Sequence, residues 1–207
     1  MKEVLKKYFT GCLTIPNLLS FIRILLIPVF GVLFYNGHYG WSVLVLALSG
    51  LSDFFDGKIA RKFNQISELG KMLDPIADKL TQITIAIIFY LTFSNSSDET
   101  VKAFSWVFLV FLIKEAVMIV GGAIMILCGL TPVAAELPGK IATFVFYFVM
   151  ILIVAFGPDV GMLKDFFTLP AVVMIVLVAI SVVLTLVAFF SYVPGVISQI
   201  KEKKAKK

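Results

Sequence analysis

Histidine and cysteine are scarce in this chain, which makes imidazole and thiolate ligands a poor basis for a metal site. The sequence has one histidine, His38, and two cysteines, Cys12 and Cys128, which lack the short spacing of a metal-binding pair. We expect both cysteines to pack as small apolar residues. His38 is expected at an exposed or interfacial position.

Clustered positive charge is also missing. The net charge is +5, but Lys and Arg stand at the ends of apolar blocks rather than on one continuous face. The 20 Phe residues lie inside those blocks, where they suit lipid contact or packing. A nucleic-acid-binding surface needs clustered basic residues with exposed aromatics, so we expect no nucleic-acid partner.

Apolar residues are abundant instead: 60% of the chain is hydrophobic, whereas soluble domains contain roughly 45–50%. An apolar helix of roughly 20 residues crosses a bilayer core. Hydropathy therefore predicts an all-α, polytopic membrane protein with a single domain over residues 1–207. The six predicted spans cover residues 15–35, 41–60, 75–93, 101–127, 141–156 and 169–193. The fifth is short, so it is expected to begin before Gly139 or to be shielded.

The positive charges predict an orientation. Of the 18 Lys and Arg residues, 14 fall on one side of the spans and only Lys102 and Lys164 on the other. The positive-inside rule then puts both termini, and the segment between the second and third spans, in the cytoplasm. We therefore expect a multi-pass protein of the cell membrane. Residues 1–14 form a juxtamembrane segment, and residues 195–207 form a basic tail attracted to anionic headgroups or recruiting a specific lipid.

Four aspartates mark the ends of the second and third spans: Asp53, Asp56, Asp74 and Asp78. Pairs spaced i,i+3 and i,i+4 share a helix face, so two adjacent helices present carboxylates at the same depth. Such charges are costly unless they are protonated or neutralised by a cation. Oxygen ligands suit Mg²⁺, Mn²⁺ or Ca²⁺, and two such ions can clamp a phosphoryl group. The alternative is solvated aspartates that cap helix ends.

Small residues and one arginine accompany the aspartates. Gly57 and Ala60 lie on the aspartate face, and Gly70 lies one turn before Asp74. They permit close approach of a ligand or of a neighbouring helix. Arg61 offers planar recognition of phosphate or serves as an interfacial charge.

The stretch 53–78 has the spacing D-x2-D-G-x2-A-R-x8-G-x3-D-x3-D and closely resembles the signature of the CDP-alcohol phosphatidyltransferase family. Residues 14–28, TIPNLLSFIRILLIP, resemble the first span of its phosphatidylglycerophosphate synthase branch. The resemblance implies an active site on the cytoplasmic side, two Mg²⁺ or Mn²⁺ ions, and a homodimer. Asp53 and Asp74 would bridge the ions, Asp56 would complete one site and Asp78 the other. Asp78 would also be the general base. The residues implied to bind the CDP-diacylglycerol are Asn17, Ser20, Gly57, Ala60, Arg61, Ser67 and Gly70.

The acceptor site is predicted from the other charged residues in or beside spans, which are functional candidates. They are Arg23, Lys114, Glu115 and Lys140. Together they would form a cationic pocket for a phosphate. Alternatively, Lys114 and Glu115 form a structural pair while Lys140 extends its side chain to the interface. Lys114-Glu115 stands where the branch has Arg-Glu, and the IATFVFY run after Lys140 is more apolar than expected.

The leading hypothesis is an enzyme that forms phosphatidylglycerophosphate from CDP-diacylglycerol and glycerol 3-phosphate, releasing CMP. Rival hypotheses keep the chemistry and change the acceptor to phosphatidylglycerol, as in a cardiolipin synthase, or to inositol phosphate. A metal-ion transporter is the alternative from another class, because acidic residues in spans often mark ion paths.

Overall fold

The computed structural model describes residues 14–63, 68–128, 130, 137–158 and 160–205. This part of the chain contains eight helices and no strand, which confirms the all-α prediction. The helices are α1 (Ile15–Tyr35), α2 (Tyr39–Lys62), α3 (Glu68–Ser94), α4 (Glu99–Phe104), α5 (Val107–Leu127), α6 (Leu137–Phe156), α7 (Ala171–Ser191) and α8 (Val193–Ala205).

Five helical stretches within the described residues are long and apolar enough to cross a membrane. They are Ile15–Tyr35, Leu73–Ser94, Glu99–Met125, Leu137–Phe156 and Ala171–Lys201. The remaining predicted span, α2, is apolar only over Tyr39–Phe55, because its last turns carry charged signature residues. The chain is therefore a multi-pass membrane protein. The fifth predicted span does begin before Gly139, since α6 starts at Leu137.

Local signals set both ends of α1. The Thr14 hydroxyl accepts a hydrogen bond from the backbone N–H of Asn17 (3.4 Å), and Pro16 occupies the first turn. The helix ends at Tyr35. Two residues later, Gly37 takes a φ of +74°, which few other residue types adopt. This tight reversal lets α1 pack against α2, and α1 also packs against α3.

A cluster of buried aromatic rings packs the bundle at one end. Phe34, Phe89 and Phe108 link α1, α3 and α5 through ring centroids 5.7 and 5.5 Å apart. Phe111 and Phe146 join α5 to α6 at 5.0 Å. In lipid, the burial of apolar surface does little to drive helix association. The helices are held instead by dispersion attraction between closely packed side chains such as these rings. Phe89 lies in the last turns of α3, whereas its aspartates lie in the first turns, so the polar site occupies the opposite end.

Candidate active site

Arg23 joins three helices at the polar end of the bundle. Its side chain is fully buried; Nη1 lies 2.6 Å from Asp53 Oδ1 on α2, and Nη2 lies 3.9 Å from Asp74 Oδ1 on α3. A cation without access to water needs such anionic partners. Arg23 thus lies against carboxylates of α2 and α3, whereas its predicted part in binding the acceptor stays a prediction.

Asn17 and Ser20 lie on the same face of α1 as Arg23, at three-residue spacing, and all three are buried. The Ser20 hydroxyl lies 2.9 Å from Asp74 Oδ1 and 3.1 Å from the carbonyl oxygen of Pro16, so its one hydrogen can go to either. Ser20, predicted to bind the nucleotide lipid, thus lies beside Asp74, and Asn17, predicted to do the same, lies one turn before Ser20 on the same face of α1.

Asp78 completes the described acidic group. Asp53 lies near enough to Asp74 and to Asp78 for their negative charges to repel one another. The side-chain amide of Gln82, one turn further along α3, donates from Nε2 to both Asp78 oxygens at 3.0 Å. Asp53 from the first predicted pair and Asp74 from the second thus face the same guanidinium, that of Arg23.

Several predicted site residues lie outside what the structure describes. Four of them belong to α2 by their backbone, but the structure does not describe their side chains or surroundings: Asp56, Gly57, Ala60 and Arg61. Ser67 lies outside the described residues altogether. Gly70 is within α3 and half-buried.

The chemistry of the acidic group suits a hard divalent cation. Carboxylate oxygens without His or Cys are the donors that Mg²⁺ and Mn²⁺ prefer. Arg23 balances one of the three negative charges of Asp53, Asp74 and Asp78, so the residues fit such an ion in donor type and in charge. Among the described side chains, which do not include Asp56, no group of three His, Cys, Asp or Glu is already arranged around a metal position. The two-metal prediction stays a prediction.

A cavity of about 70 Å³ adjoins Asp78, and Arg23 is not among its lining residues. Its polar wall comes from α3 and α5 and its more apolar wall from α6, α7 and the residue after α7. The lining residues are Asp78, Lys79, Gln82, Lys114, Glu115, Met118, Gly139, Ala142, Thr143, Thr185, Ala188, Phe189 and Tyr192.

Glu115 is, beside Asp78, one of two carboxylates that line this cavity, and it is almost fully buried. Lys79 Nζ lies 2.9 Å from its Oε2, and Lys114 Nζ contacts its Oε1. One carboxylate thus balances one of two lysines. The predicted acceptor residues Lys114 and Glu115 both line the cavity, whereas Lys140 is exposed and is not among the lining residues.

Lys79 and Gln82 are candidate site residues that the sequence did not predict. Lys79 counted only as an interfacial charge, and Gln82 has one available signal, its i,i+4 spacing from Asp78. Thr143 and Thr185 sit in apolar spans where nothing local distinguishes them. Tyr147 on α6 is buried, and its ring lies 3.3 Å from the position where a side chain on Gly50 would start, so α2 and α6 pack closely there.

Comparison with known proteins gives the same family that the signature resembles. The sequence profile described as CDP-alcohol phosphatidyltransferase matches residues 13–187. The "Cardiolipin synthase (CMP-forming)" of Streptomyces coelicolor is 41% identical over 138 residues, which cover 64% of this chain and 60% of that protein. The "CDP-diacylglycerol–glycerol-3-phosphate 3-phosphatidyltransferase" of Aquifex aeolicus is 30% identical over 173 residues, covering 82% of this chain and 92% of that protein.

A third relative, the protein of that same name in Rickettsia typhi, is 48% identical over 69 residues, covering 32% of this chain and 39% of that protein. The match with the cardiolipin synthases spans only about three fifths of their length. The relatives thus agree on the family and differ in the acceptor that their names imply.

Proposed function

Because this chain belongs to the CDP-alcohol phosphatidyltransferase family, we propose that it transfers the phosphatidyl group of CDP-diacylglycerol to an alcohol and releases CMP. Membership of a transferase family makes the chain an enzyme and sets aside the transporter alternative. The observation that carries the proposal is the position of Asp78, which belongs to the acidic group on one side and lines the acceptor cavity on the other.

In this reaction the acceptor hydroxyl attacks the phosphorus that bears the diacylglycerol. Asp78 takes the hydroxyl proton, a new P–O bond forms, and the bond to the bridging pyrophosphate oxygen breaks so that CMP leaves with the electron pair. Ser20 borders the acidic group, and it and Asn17, one turn away on α1, suit contacts with the nucleotide lipid. Holding the two substrates next to Asp78 accounts for much of the rate acceleration over the uncatalysed reaction.

We also propose that Asp53, Asp56, Asp74 and Asp78 hold two Mg²⁺ or Mn²⁺ ions. When bound, such ions would offset the negative charge of the pyrophosphate. The support is the donor type of these residues and the negative charge that Arg23 leaves unbalanced.

For the acceptor we propose phosphatidylglycerol, which would make the product cardiolipin. Lys79 and Lys114 share Glu115, and Asp78 lines the same cavity, so the charged lining side chains carry no net charge. Such a lining suits the single negative charge of a phosphodiester better than the roughly 1.5–2 negative charges of a phosphomonoester at neutral pH. Met118 and Phe189 add apolar surface that also suits a lipid. The name of the Streptomyces coelicolor relative agrees with this choice.

Glycerol 3-phosphate, which the sequence analysis favours, is the second candidate. Its support is the pair of lysines at the cavity and the name of the Aquifex aeolicus relative, which aligns over most of both chains. The two acceptors differ in charge and in acyl chains, so one experiment separates them.

The test uses purified protein in detergent with Mg²⁺, labelled CDP-diacylglycerol and one acceptor at a time. We expect CMP release and labelled cardiolipin with phosphatidylglycerol, and a lower kcat/KM with glycerol 3-phosphate. Phosphatidylglycerophosphate as the faster product would reverse the choice of acceptor, and no CMP release with either acceptor would contradict the whole proposal. Glu115→Gln leaves Lys79 and Lys114 with Asp78 as the one carboxylate in the described lining, so it should shift preference toward the more negative glycerol 3-phosphate.

We further propose that the site faces the cytoplasm with both termini on that side, and that the protein forms a homodimer. The support for the orientation is the distribution of Lys and Arg. A protease-cleavable tag after Lys207 should be cut in inverted membrane vesicles and protected in intact cells. Cross-linking of the protein in native membranes should give a dimer band.

A further inference from the structure

One buried side-chain amide connects the two halves of the site. Gln82 is only 5% exposed and lies one helical turn after Asp78 on α3. Its Nε2 is 3.0 Å from each Asp78 oxygen, and its Oε1 is 3.4 Å from Nζ of Lys114 on α5. The family signature ends at Asp78, so no signature position accounts for this glutamine.

Charge fixes the orientation of the Gln82 amide. An ionised carboxylate only accepts hydrogen bonds and an ammonium only donates them. The reverse orientation would set the amide oxygen against Asp78 and the amide NH₂ against Lys114, and both contacts would be repulsive. Each end of the amide therefore has one assigned partner, and hydrogen bonds to charged groups are the stronger kind.

We propose that Gln82 is a positioning residue: its amide holds the Asp78 carboxylate and ties it to the Lys114 ammonium in the acceptor cavity. This inference rests on the proposed function, in which Asp78 takes the acceptor proton. The amide Nε2–H group occupies the edge between the two Asp78 oxygens. The other lone pairs of those two oxygens stay available for the acceptor proton. Lys114 holds the other end of the amide. The Gln82 side chain therefore connects a residue proposed to bind the acceptor with the residue proposed to take its proton.

Replacement of Gln82 tests the positioning role. Gln82→Met keeps the length and helix propensity of the side chain but removes both hydrogen bonds. We expect kcat to fall about 10- to 100-fold, because small misplacements of a reacting group cost that much. The KM for CDP-diacylglycerol should stay within about twofold, since the residues proposed to contact that substrate lie on α1, on α2 and near the start of α3 rather than next to Gln82. Thr81→Val is the matched control: Thr81 is the buried neighbour on α3, it does not line the acceptor cavity, and its hydroxyl donates to the carbonyl of Ala77 within the helix.

Gln82→Glu separates the two ends of the amide. A glutamate still accepts from Lys114 but presents an oxygen to Asp78. We expect it to lose kcat at least as strongly as Gln82→Met while keeping the acceptor KM near that of the wild type. Thermal unfolding of each variant in detergent checks that the loss is not one of folded protein.

A double-mutant cycle with Lys114→Met provides a readout that a merely structural role would not give. In the wild-type background Lys114→Met should raise the acceptor KM and also lower kcat. In the Gln82→Met background it should raise only the acceptor KM, because its route to Asp78 is already gone. An equal loss of kcat in both backgrounds, or a Gln82→Met variant with kcat within twofold of wild type, would overturn the inference. A wild-type protein that is inactive with both acceptors would instead overturn the proposed function itself.

Discussion

Removal of the Arg23 guanidinium is the sharpest test of the geometry around the aspartates. The substitution Arg23→Met keeps an unbranched, apolar stem of similar length and deletes the only charge that α1 offers to Asp53 and Asp74 among its described residues. We expect a less stable protein, because two carboxylates on neighbouring helices lose their shared partner and repel each other.

The size of the effect follows from burial and distance. Breaking a buried ion pair typically costs about 3–5 kcal/mol. Arg23 is fully buried, but the side chains of Asp53 and Asp74 are 30% and 42% exposed, so water takes over part of their solvation. We therefore expect the lower end, about 3 kcal/mol, which corresponds to a fall in Tm of roughly 6–12 °C for a chain of this size.

The assay is thermal unfolding of the purified protein in detergent, with CDP-diacylglycerol absent. Lys164→Met is the matched control, since it removes one positive charge from an exposed position and should change Tm by about 2 °C or less. A shift for Arg23→Met no larger than that of the control would refute the ion-pair reasoning. Arg23→Lys should recover part of the loss, because a point charge reaches one carboxylate but cannot span both.

Three further outcomes are expected. Asp78→Asn should lower phosphatidyl transfer at least 100-fold while CDP-diacylglycerol still binds, as measured by turnover and by ligand-induced stabilisation; retained turnover would remove the proposed base. Chelation with EDTA should abolish CMP release and added Mg²⁺ or Mn²⁺ should restore it, whereas unchanged turnover in EDTA would contradict the two-ion proposal. Gly50→Val should destabilise the protein by about 1–3 kcal/mol because its side chain meets the Tyr147 ring, while Gly122→Val, with nothing within 4 Å, should not.

The helices could be predicted well where local signals coincide. The first span was predicted at residues 15–35 and α1 has those bounds, because a capping threonine, an early proline and an Asn-Gly turn enclose one apolar run. The second span was harder. It combines apolar residues up to Phe55 with charged signature residues, so hydropathy alone does not separate the membrane part from the rest of α2.

The partners of charged residues could not be predicted, because helix packing determines them. Hydropathy identifies Arg23 and Lys114 as charges inside apolar spans, but not which helix faces them. Arg23 was grouped with the acceptor residues, and the structure places it against Asp53. Gln82 is polar but uncharged, and its one sequence signal is its i,i+4 spacing from Asp78; its contact with Lys114, 3.4 Å away on α5, follows only from helix packing.

The packing also indicates why an enzyme of this kind places a fixed cation beside carboxylates that are proposed to bind metal. Asp53, Asp74 and Asp78 together with Arg23 leave two negative charges unbalanced, and Asp56 adds a third from the sequence. Arg23 holds Asp53 and Asp74 from the α1 side, so it can orient their carboxylates before any substrate arrives. Arg23 cannot neutralise the group alone, and the remaining negative charge is what the proposed dications would balance. In that proposal the guanidinium and the ions would be complementary: the guanidinium sets the geometry of the acidic group, and the ions would supply positive charge for the reaction.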